Sequence, residues 1–233
     1  MAFNLSVEVA VSDEINNSEK GKILEDLGAD LLNSLNYEVL KQVRLTGMEV
    51  DLIARNNISG EEIYVECKAY KEPIKADVIT KILGNVTING ASSGWLLTTG
   101  QLGKDAKGLM VTWESKNPEV RRKLQIYTPD RLIQTFIKSR VIVDPQSIDL
   151  EGQKIESACL LVTNYGRFWA FPVIHVSAGV PFGVILFDAS TGCRITDLRL
   201  LDQVSKCDSS FKELEWITDE NEMANPNNLL LID

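Results

Sequence analysis

Two carboxylates and a lysine occupy positions that a β-hairpin would bring together. Asp51 precedes the segment Asn56–Gly60, and Glu66 and Lys68 follow it. That segment is rich in turn-forming residues, which predicts an antiparallel hairpin whose cross-strand partners have residue numbers that sum to about 117. In this register Asp51 faces Glu66, and Glu49 faces Lys68.

Two like charges opposed in this way destabilise a sheet unless something neutralises them. At about 5 Å their repulsion is roughly 3 kcal/mol in surroundings with an effective dielectric near 20. A divalent cation removes the conflict, and Asp51 and Glu66 with the backbone carbonyl of Cys67 offer the open set of oxygen ligands that Mg²⁺ prefers. The amine of Lys68 can orient or help to deprotonate an attacking water and stabilise charge that develops on a phosphate.

The hydrophobic pattern of the two strands supports this register, because a shift by one residue would bury the carboxylates. One face is apolar and is expected to join the core: Val50, Leu52, Ala54, Ile63, Val65 and Cys67. The other face collects the charges: Glu49, Asp51, Glu62, Glu66 and Lys68. The alternative interpretation is a solvated hairpin face with a Glu49–Lys68 cross-strand pair.

The elements around the hairpin alternate between helices and strands. Residues 3–11 alternate between apolar and polar, which predicts a strand, and residues 19–35 have the apolar spacing of an amphipathic helix. After hairpin strands at 37–43, 48–55 and 62–70, the pattern predicts a helix at 76–89, a strand at 94–100, a helix at 104–114, a strand at 123–127 and a helix at 130–138. This order indicates an α/β fold with a mixed central sheet flanked by helices.

The character of the sequence changes after Arg140. Residues 156–200 are dominated by β-forming residues with glycine and proline between them. We therefore predict two domains: residues 1–142, in which residues 1–17 add an extra N-terminal strand, and residues 143–233, a smaller β-rich accessory domain. The apolar end of the sequence at 229–232 has no capping signal, and we expect this chain to be the front part of a longer protein.

Charge is unevenly distributed along the chain. The 24 basic and 33 acidic residues give a net charge of −9, which argues against nucleic-acid binding by the whole surface. Residues 71–140, in contrast, carry 12 basic and 6 acidic residues. The candidates for contacts with a phosphate backbone are Lys71, Lys75, Lys81, Arg121, Arg122 and Lys123. The alternative is that these side chains lie on solvated faces.

The cysteines and the single histidine argue against other kinds of site. The four cysteines form no Cys-x-x-Cys pair, so a structural zinc site is not expected. His175 stands among apolar strand residues and is expected to pack there. Free thiols suit the reducing cytoplasm, and no apolar run approaches the roughly 20 residues that cross a bilayer, so we expect a cytoplasmic protein without a membrane segment.

The hairpin residues resemble the signature of the PD-(D/E)XK nucleases, in which an Asp, a turn and a Glu-x-Lys strand follow one another. The surrounding sequence, over about residues 18–140, is similar to their Mrr-type restriction endonuclease branch. The matching segments are Lys22–Leu27 with Glu25, Asn36–Val39, Gly47–Asp51, Val65–Lys68, Leu97–Gly100 with Lys104–Ala106, and Thr128–Leu132.

The resemblance implies a restriction-endonuclease-like fold and hydrolysis of phosphodiester bonds in DNA with Mg²⁺, or with Mn²⁺ in its place. Asp51, Glu66 and the Cys67 carbonyl would be metal ligands, and Lys68 would position water or stabilise charge. Glu25 would reach the site from the first helix as a further ligand or as an orienting residue, unless it is an ordinary exposed helix glutamate. By analogy alone, the substrate is double-stranded DNA, the enzyme is a homodimer, and its role is defence against foreign DNA.

Two other functions stay open at this point. One is a catalytically silent module that keeps the fold and binds nucleic acid, and the other is an oligomerisation or interaction protein. Residues 141–233 carry 6 basic and 14 acidic residues and would repel a phosphate backbone. We therefore predict that the C-terminal domain mediates dimerisation, binding of a protein partner, or activation.

Overall fold

The computed structural model describes residues 3–12, 18–45, 48–150, 155–174 and 179–218. Gly47, His175 and the apolar end at 229–232 lie outside the described residues. The chain divides into two compact units, residues 17–141 and residues 1–16 with 142–233. Within the described ranges, no helix combines the length and the apolar character that spanning a membrane requires.

Ten strands and six helices lie within the described ranges. The strands are β1 (Asn4–Ala10), β2 (Tyr37–Leu45), β3 (Met48–Asn56), β4 (Glu62–Lys68), β5 (Ser93–Thr98), β6 (Leu124–Tyr127), β7 (Ser157–Thr163), β8 (Gly166–Ile174), β9 (Pro181–Asp188) and β10 (Glu215–Trp216). The helices are α1 (Ser18–Ser34), α2 (Ala76–Asn89), α3 (Lys104–Glu114), α4 (Pro118–Arg121), α5 (Pro129–Lys138) and α6 (Leu198–Ser205). Each helix and strand predicted between residues 19 and 138 is present, whereas α4 was not predicted.

The unit of residues 17–141 is built on a five-stranded mixed sheet with the order β2-β3-β4-β5-β6. The strands β2, β3 and β4 are antiparallel neighbours, whereas β4, β5 and β6 run parallel. A parallel pair needs a crossover, which α2 provides between β4 and β5. The carboxyl ends of β4 and β5 meet at one edge of the sheet, where Lys68 pairs with Thr98, and β6 begins at the opposite edge, where Leu124 pairs with Gly94.

Helices cover both faces of this sheet. On one face, α1 approaches so closely that a Cβ added to Gly28 would lie 2.8 Å from Leu97 Cδ1 and 3.2 Å from Leu52 Cδ1. On the other face, α2 and α3 share a core cluster with β5 and β6, and a Cβ on Gly94 would lie 2.3 Å from Ile82 Cγ2 of α2. The predicted mixed sheet flanked by helices is therefore confirmed.

The second unit is built on another five-stranded sheet, with the order β1-β7-β8-β9-β10. The strands β7, β8 and β9 are antiparallel neighbours, and α6 buries Leu201 and Val204 against one face. The strand β1 runs parallel to β7 and pairs with it from Asn4↔Ser157 to Ala10↔Thr163. The prediction that residues 1–17 extend the first domain is therefore wrong, because apolar–polar alternation identifies a strand but not its partner.

Candidate active site

The hairpin of β3 and β4 has the predicted register. Ile53 pairs with Tyr64, and Ala54 pairs with Ile63. The turn is held by Asn56, whose backbone N–H donates to Glu61 O and whose Oδ1 accepts from the backbone N–H groups of Ile58 and Ser59. A short turn with a fixed register places the acidic residues of the two strands at the same level of the sheet.

The regular ladder ends one pair before Asp51. The last pair is Leu52↔Val65, and Asp51 Oδ2 instead accepts a hydrogen bond from the backbone N–H of Cys67 at 2.7 Å. The expected backbone pairing of Asp51 with Glu66 is therefore replaced by a contact from the side chain. This bond fixes the carboxylate of Asp51 beside the backbone of the strand that carries Glu66.

Glu66 is buried, with 7% of its surface exposed, and it is neutralised by lysines. Its Oε1 lies 2.6 Å from Lys68 Nζ and 3.5 Å from Lys81 Nζ of α2. Lys68 therefore pairs with the acidic residue two positions before it on its own strand, rather than across the hairpin with Glu49. A buried carboxylate is costly unless it is paired in this way.

Glu25 of α1 is half-buried and close to Asp51. Burial raises the pKa of Glu25, and the charge of Asp51 raises it further, while the Gln42 amide lowers it through a hydrogen bond of 3.4 Å to Glu25 Oε2. Burial also raises the pKa of Asp51, with a smaller upward contribution from the charge of Glu66, and the Cys67 N–H opposes this shift. The carboxylates therefore oppose one another's ionisation.

A pocket of about 500 Å³ opens beside these side chains. Glu25, Asp51 and Lys68 line it together with Tyr70, whose half-exposed ring has its centre 6.0 Å from Lys68 Nζ. Glu66 lines a separate small cavity on the side of α2. The structure thus brings Glu25, Asp51 and Lys68 to one pocket and holds Glu66 behind it, paired with Lys68.

The donors at this pocket suit a hard divalent cation. They are the carboxylates of Asp51 and Glu25 and the backbone of Cys67, with Glu66 adjacent. Carboxylates that disfavour one another's charge are stabilised by a cation between them, and oxygen donors are those that Mg²⁺ and Mn²⁺ prefer. Among the described residues, no group of three or more His, Cys, Asp and Glu side chains is already arranged as a metal site.

The six predicted phosphate-binding residues do not form one surface. Lys71 lines the pocket, and Lys81 contacts Glu66. Arg121, Arg122 and Lys123 precede β6 and are exposed at the edge of the sheet opposite the carboxyl end of β4. Contact of these three residues with a phosphate backbone stays a prediction, and the charge of a sequence segment does not indicate at which end of a strand its residues lie.

Lys75 is exposed just before α2, in a segment tied to the loop that follows β5. The backbone N–H of Ile74 donates to Gln101 O, and that of Gly103 donates to Ile74 O. This pair of bonds brings the start of α3, and with it Lys104, to the same edge of the sheet as Lys68. Lys104 was named from the sequence only within a matching segment and not as a candidate for phosphate contact, although the parallel order of β4 and β5 was the signal that could have found it.

Residues 17–125 match a family model, Mrr_cat, described as a restriction endonuclease. The match covers a little under half of the chain and includes Glu25, Asp51, Glu66 and Lys68. No curated protein is significantly similar to this sequence.

Three solved structures are similar to the chain at low identity. The "Protein of Unknown Function AF1548" is 16% identical, with a TM-score of 0.40 over 56% of this chain and 72% of that one. A repair endonuclease from Pyrococcus abyssi is 12% identical, with a TM-score of 0.34 over 49% and 48% of the two chains. The DNA modification-dependent restriction endonuclease AspBHI is 13% identical, with a TM-score of 0.37 over 49% and 30%. This chain thus spans under half the length of either endonuclease, and its activity has to be argued from its own residues.

Proposed function

We propose that the Mrr_cat restriction endonuclease domain, which residues 17–125 form, is a metal-dependent nuclease that hydrolyses phosphodiester bonds of double-stranded DNA. The observation that carries the proposal is the convergence of Glu25, Asp51 and Lys68 on one pocket, with Glu66 paired to Lys68 behind it. These are the residues that match the nuclease signature in the sequence.

Asp51, Glu25, Glu66 and the backbone carbonyl of Cys67 are the groups that would hold Mg²⁺, or Mn²⁺ in its place. When bound, the cation lowers the pKa of an attacking water and stabilises charge on the phosphate. Asp51 is pre-oriented for this role, because its Oδ2 is fixed by the Cys67 N–H at 2.7 Å. Glu25 accepts a hydrogen bond of 3.4 Å from the Gln42 amide of β2.

Lys68 is assigned to electrostatic stabilisation rather than to proton abstraction. Burial is the largest influence on the pKa of Lys68 and lowers it, but the hydrogen bond to Glu66 and the charges of Glu66, Asp51 and Tyr70 together outweigh burial, so that the pKa is raised. This direction favours the charged form of Lys68, which suits stabilisation of charge better than proton abstraction. A fixed cation in a partly buried pocket stabilises the negative charge that a phosphoryl group develops during attack.

The test is cleavage of supercoiled plasmid DNA by the full chain with Mg²⁺ or Mn²⁺, beside an Asp51→Asn variant. Asparagine keeps an oxygen that accepts from the Cys67 N–H but removes the charge, so the variant is expected to fold and to lose cleavage. Absence of cleavage by the parent chain with both metals, or equal cleavage by the variant, contradicts the proposal.

A catalytically silent DNA-binding module is the second candidate. One observation favours it: Lys68 and Lys81 both contact Glu66 Oε1, so that two lysines already neutralise this carboxylate. Such a module would retain DNA in a salt-dependent way with either metal, without cutting it. A nuclease, in contrast, would retain DNA after Lys68→Ala while losing cleavage.

We further propose that the enzyme acts as a homodimer, since one site cuts one strand, and that its role is cytoplasmic defence against foreign DNA. The second unit carries 6 basic and 17 acidic residues and is the proposed surface for dimerisation or for a protein partner. Light scattering on the purified chain measures the oligomeric state. Loss of phage restriction in cells that express Asp51→Asn tests the role in defence.

A further inference from the structure

The β2–β3 ladder has one break, which falls at Gln42 and Asp51. Lys41 pairs with Leu52 and Val43 pairs with Val50, but the two residues between them are not paired. Gln42 has a φ of 52°, in the left-handed region that is unfavourable for a residue other than glycine. A strained residue in the middle of a strand, opposite a carboxylate of the pocket, indicates a constraint beyond the sheet itself.

Both strands change faces across this break. Lys41 and Leu52 approach α1, through Asp26 and Gly28 respectively. Val43 and Val50, each two residues from one of these, pack instead in a cluster with Val86 of α2. In a regular strand, residues two apart share a face. The expectation that Val50 lies on the same face as Leu52 is therefore wrong, and the reversal occurs at Gln42 and Asp51.

The reversal brings the side chains of two consecutive residues to α1. Lys41 Nζ lies 2.6 Å from Asp26 Oδ1, and Gln42 Nε2 donates to Glu25 Oε2 at 3.4 Å. A regular strand would turn one of these two side chains away from the helix. The amide of Gln42 orients Glu25 without adding a positive charge that would compete with a metal ion for its oxygens.

We infer that Gln42 is a positioning residue for the metal ligands of this site. Its left-handed backbone forms the break in the β2–β3 ladder opposite Asp51, and its amide donates to Glu25, so that one residue adjoins both carboxylates of the pocket. This inference rests on the proposed function, and it assigns to Gln42 a role that the signature of acidic residues and lysine does not contain. The support of a ligand by such a neighbour commonly changes metal affinity by about 10- to 100-fold.

The test measures Mn²⁺ binding to the full chain by calorimetry, without DNA, for two substitutions of Gln42. Gln42→Gly keeps the left-handed backbone at no cost and removes the amide, so its affinity for Mn²⁺ should fall about threefold while its melting temperature holds or rises. Gln42→Val also disfavours the left-handed backbone, because its Cβ is branched, and its affinity should fall tenfold or more. Lys41→Gln, which removes the neighbouring ion pair, is the matched control. It should bind Mn²⁺ no more weakly than the parent, because loss of a positive charge near Glu25 does not disfavour a cation.

Wild-type affinity in both Gln42 variants overturns the inference, as does an equal loss in the Lys41→Gln control. If Gln42→Val does not fold, Gln42→Gly decides, with weakened binding at an undiminished melting temperature supporting the inference. The proposed function fails separately. A parent chain that binds Mn²⁺ and does not cut DNA contradicts the nuclease but not the positioning role. A parent chain that binds no Mn²⁺ overturns the positioning role, and the plasmid assay with both metals then decides on the nuclease.

Discussion

The sheet of residues 17–141 and the sheet of the second unit have five strands each, yet among the described residues only the first contains a buried charged side chain, Glu66. The β1–β7 ladder of the second sheet is paired without a break from Asn4 to Ala10, and Thr163 in it bonds to nearby backbone. The first sheet is interrupted at Asp51, beside the proposed metal ligands, whereas the irregularity of the second sheet lies in the β8–β9 ladder between Val173 and Ile174. A loss of local regularity beside candidate site residues is what a functional site is expected to show.

The two units also differ in charge. The unit of residues 17–141 carries 18 basic and 16 acidic residues, whereas the second unit carries 6 and 17. The first can therefore approach a polyanion with a locally basic edge, and the second cannot do so without strong repulsion. The negative charge of the whole chain thus belongs mainly to the unit without the candidate site, which is why total charge is a poor guide to the substrate.

Two lysine–carboxylate pairs with the same 2.6 Å separation give the largest contrast between the units. Lys68–Glu66 is mostly buried, whereas Lys206–Asp202 is exposed. We expect Lys68→Gln to reduce DNA cleavage about 10²- to 10³-fold, because a fixed cation at the phosphate is lost. It should also lower the free energy of unfolding by about 2 kcal/mol, less than for a fully isolated buried charge because Lys81 remains near Glu66.

Lys206→Gln is the matched control for that substitution. We expect it to leave cleavage unchanged and to alter the free energy of unfolding by under about 0.5 kcal/mol, as measured by urea denaturation. Equal effects of the two substitutions on cleavage would mean that the buried pair has no role in the reaction.

The sequence predicted the parts of this site that depend on local patterns. The turn-forming residues from Asn56 to Gly60 define the hairpin register, and the spacing of apolar residues defines α2 as far as Gly90, whose left-handed φ of 74° ends the helix. The break at Gln42 was not predictable, because nothing in its neighbours requires a left-handed residue. The break depends on tertiary packing, because on one side of it the strand contacts α1 and on the other it packs in the cluster that includes Val86 of α2.

Substitution of one close-packed glycine in each sheet tests which sheet DNA cleavage depends on. A Cβ on Gly94 would lie 2.3 Å from Ile82 Cγ2, and one on Gly183 would lie 2.6 Å from Ile217 Cδ1. Alanine at either position should lower the free energy of unfolding by about 1–3 kcal/mol. Thermal unfolding measures this, with Gly84→Ala as the control, since nothing lies within 4 Å of its added Cβ. DNA cleavage at a temperature where both variants are folded should fall for Gly94→Ala and persist for Gly183→Ala. Loss of cleavage in Gly183→Ala alone would contradict a site in the unit of residues 17–141.

Basic residues lie at opposite edges of the first sheet, Lys71 at the pocket and Arg121, Arg122 and Lys123 at the other edge, and substitutions in each group test which edge binds DNA. We expect Lys71→Gln to weaken DNA binding a few-fold and to reduce the slope of log affinity against log salt by about 1, because Lys71 lines the pocket. Arg122→Gln removes a charge at the far edge and should leave both quantities unchanged. Fluorescence anisotropy over a range of salt concentrations measures them, and an equal change for Arg122→Gln would mean that DNA covers both edges.

The smallest expected effect concerns the free energy of unfolding, which is lower because the carboxylates of the first sheet lie close together. Because burial and the charge of Asp51 raise the pKa of Glu25, the folded chain binds this proton more readily than the unfolded chain does. The resulting penalty is absent below the ordinary carboxyl pKa of about 4, grows as the pH rises, and is complete above the raised pKa.

Glu25→Gln should therefore increase the free energy of unfolding at pH 7 without Mn²⁺ and give no gain below about pH 4. Solvent screening of a half-exposed group keeps the gain under about 1 kcal/mol. Glu8→Gln in the second sheet, where Glu8 accepts bonds from Ser210, is the control and should give no gain at any pH. Since Mn²⁺ stabilises only the folded parent, it should reverse the order of the parent and Glu25→Gln. A parent that is already as stable as Glu25→Gln at pH 7 would show that its carboxylates do not repel one another, and the electrostatic difference between the two sheets would be lost.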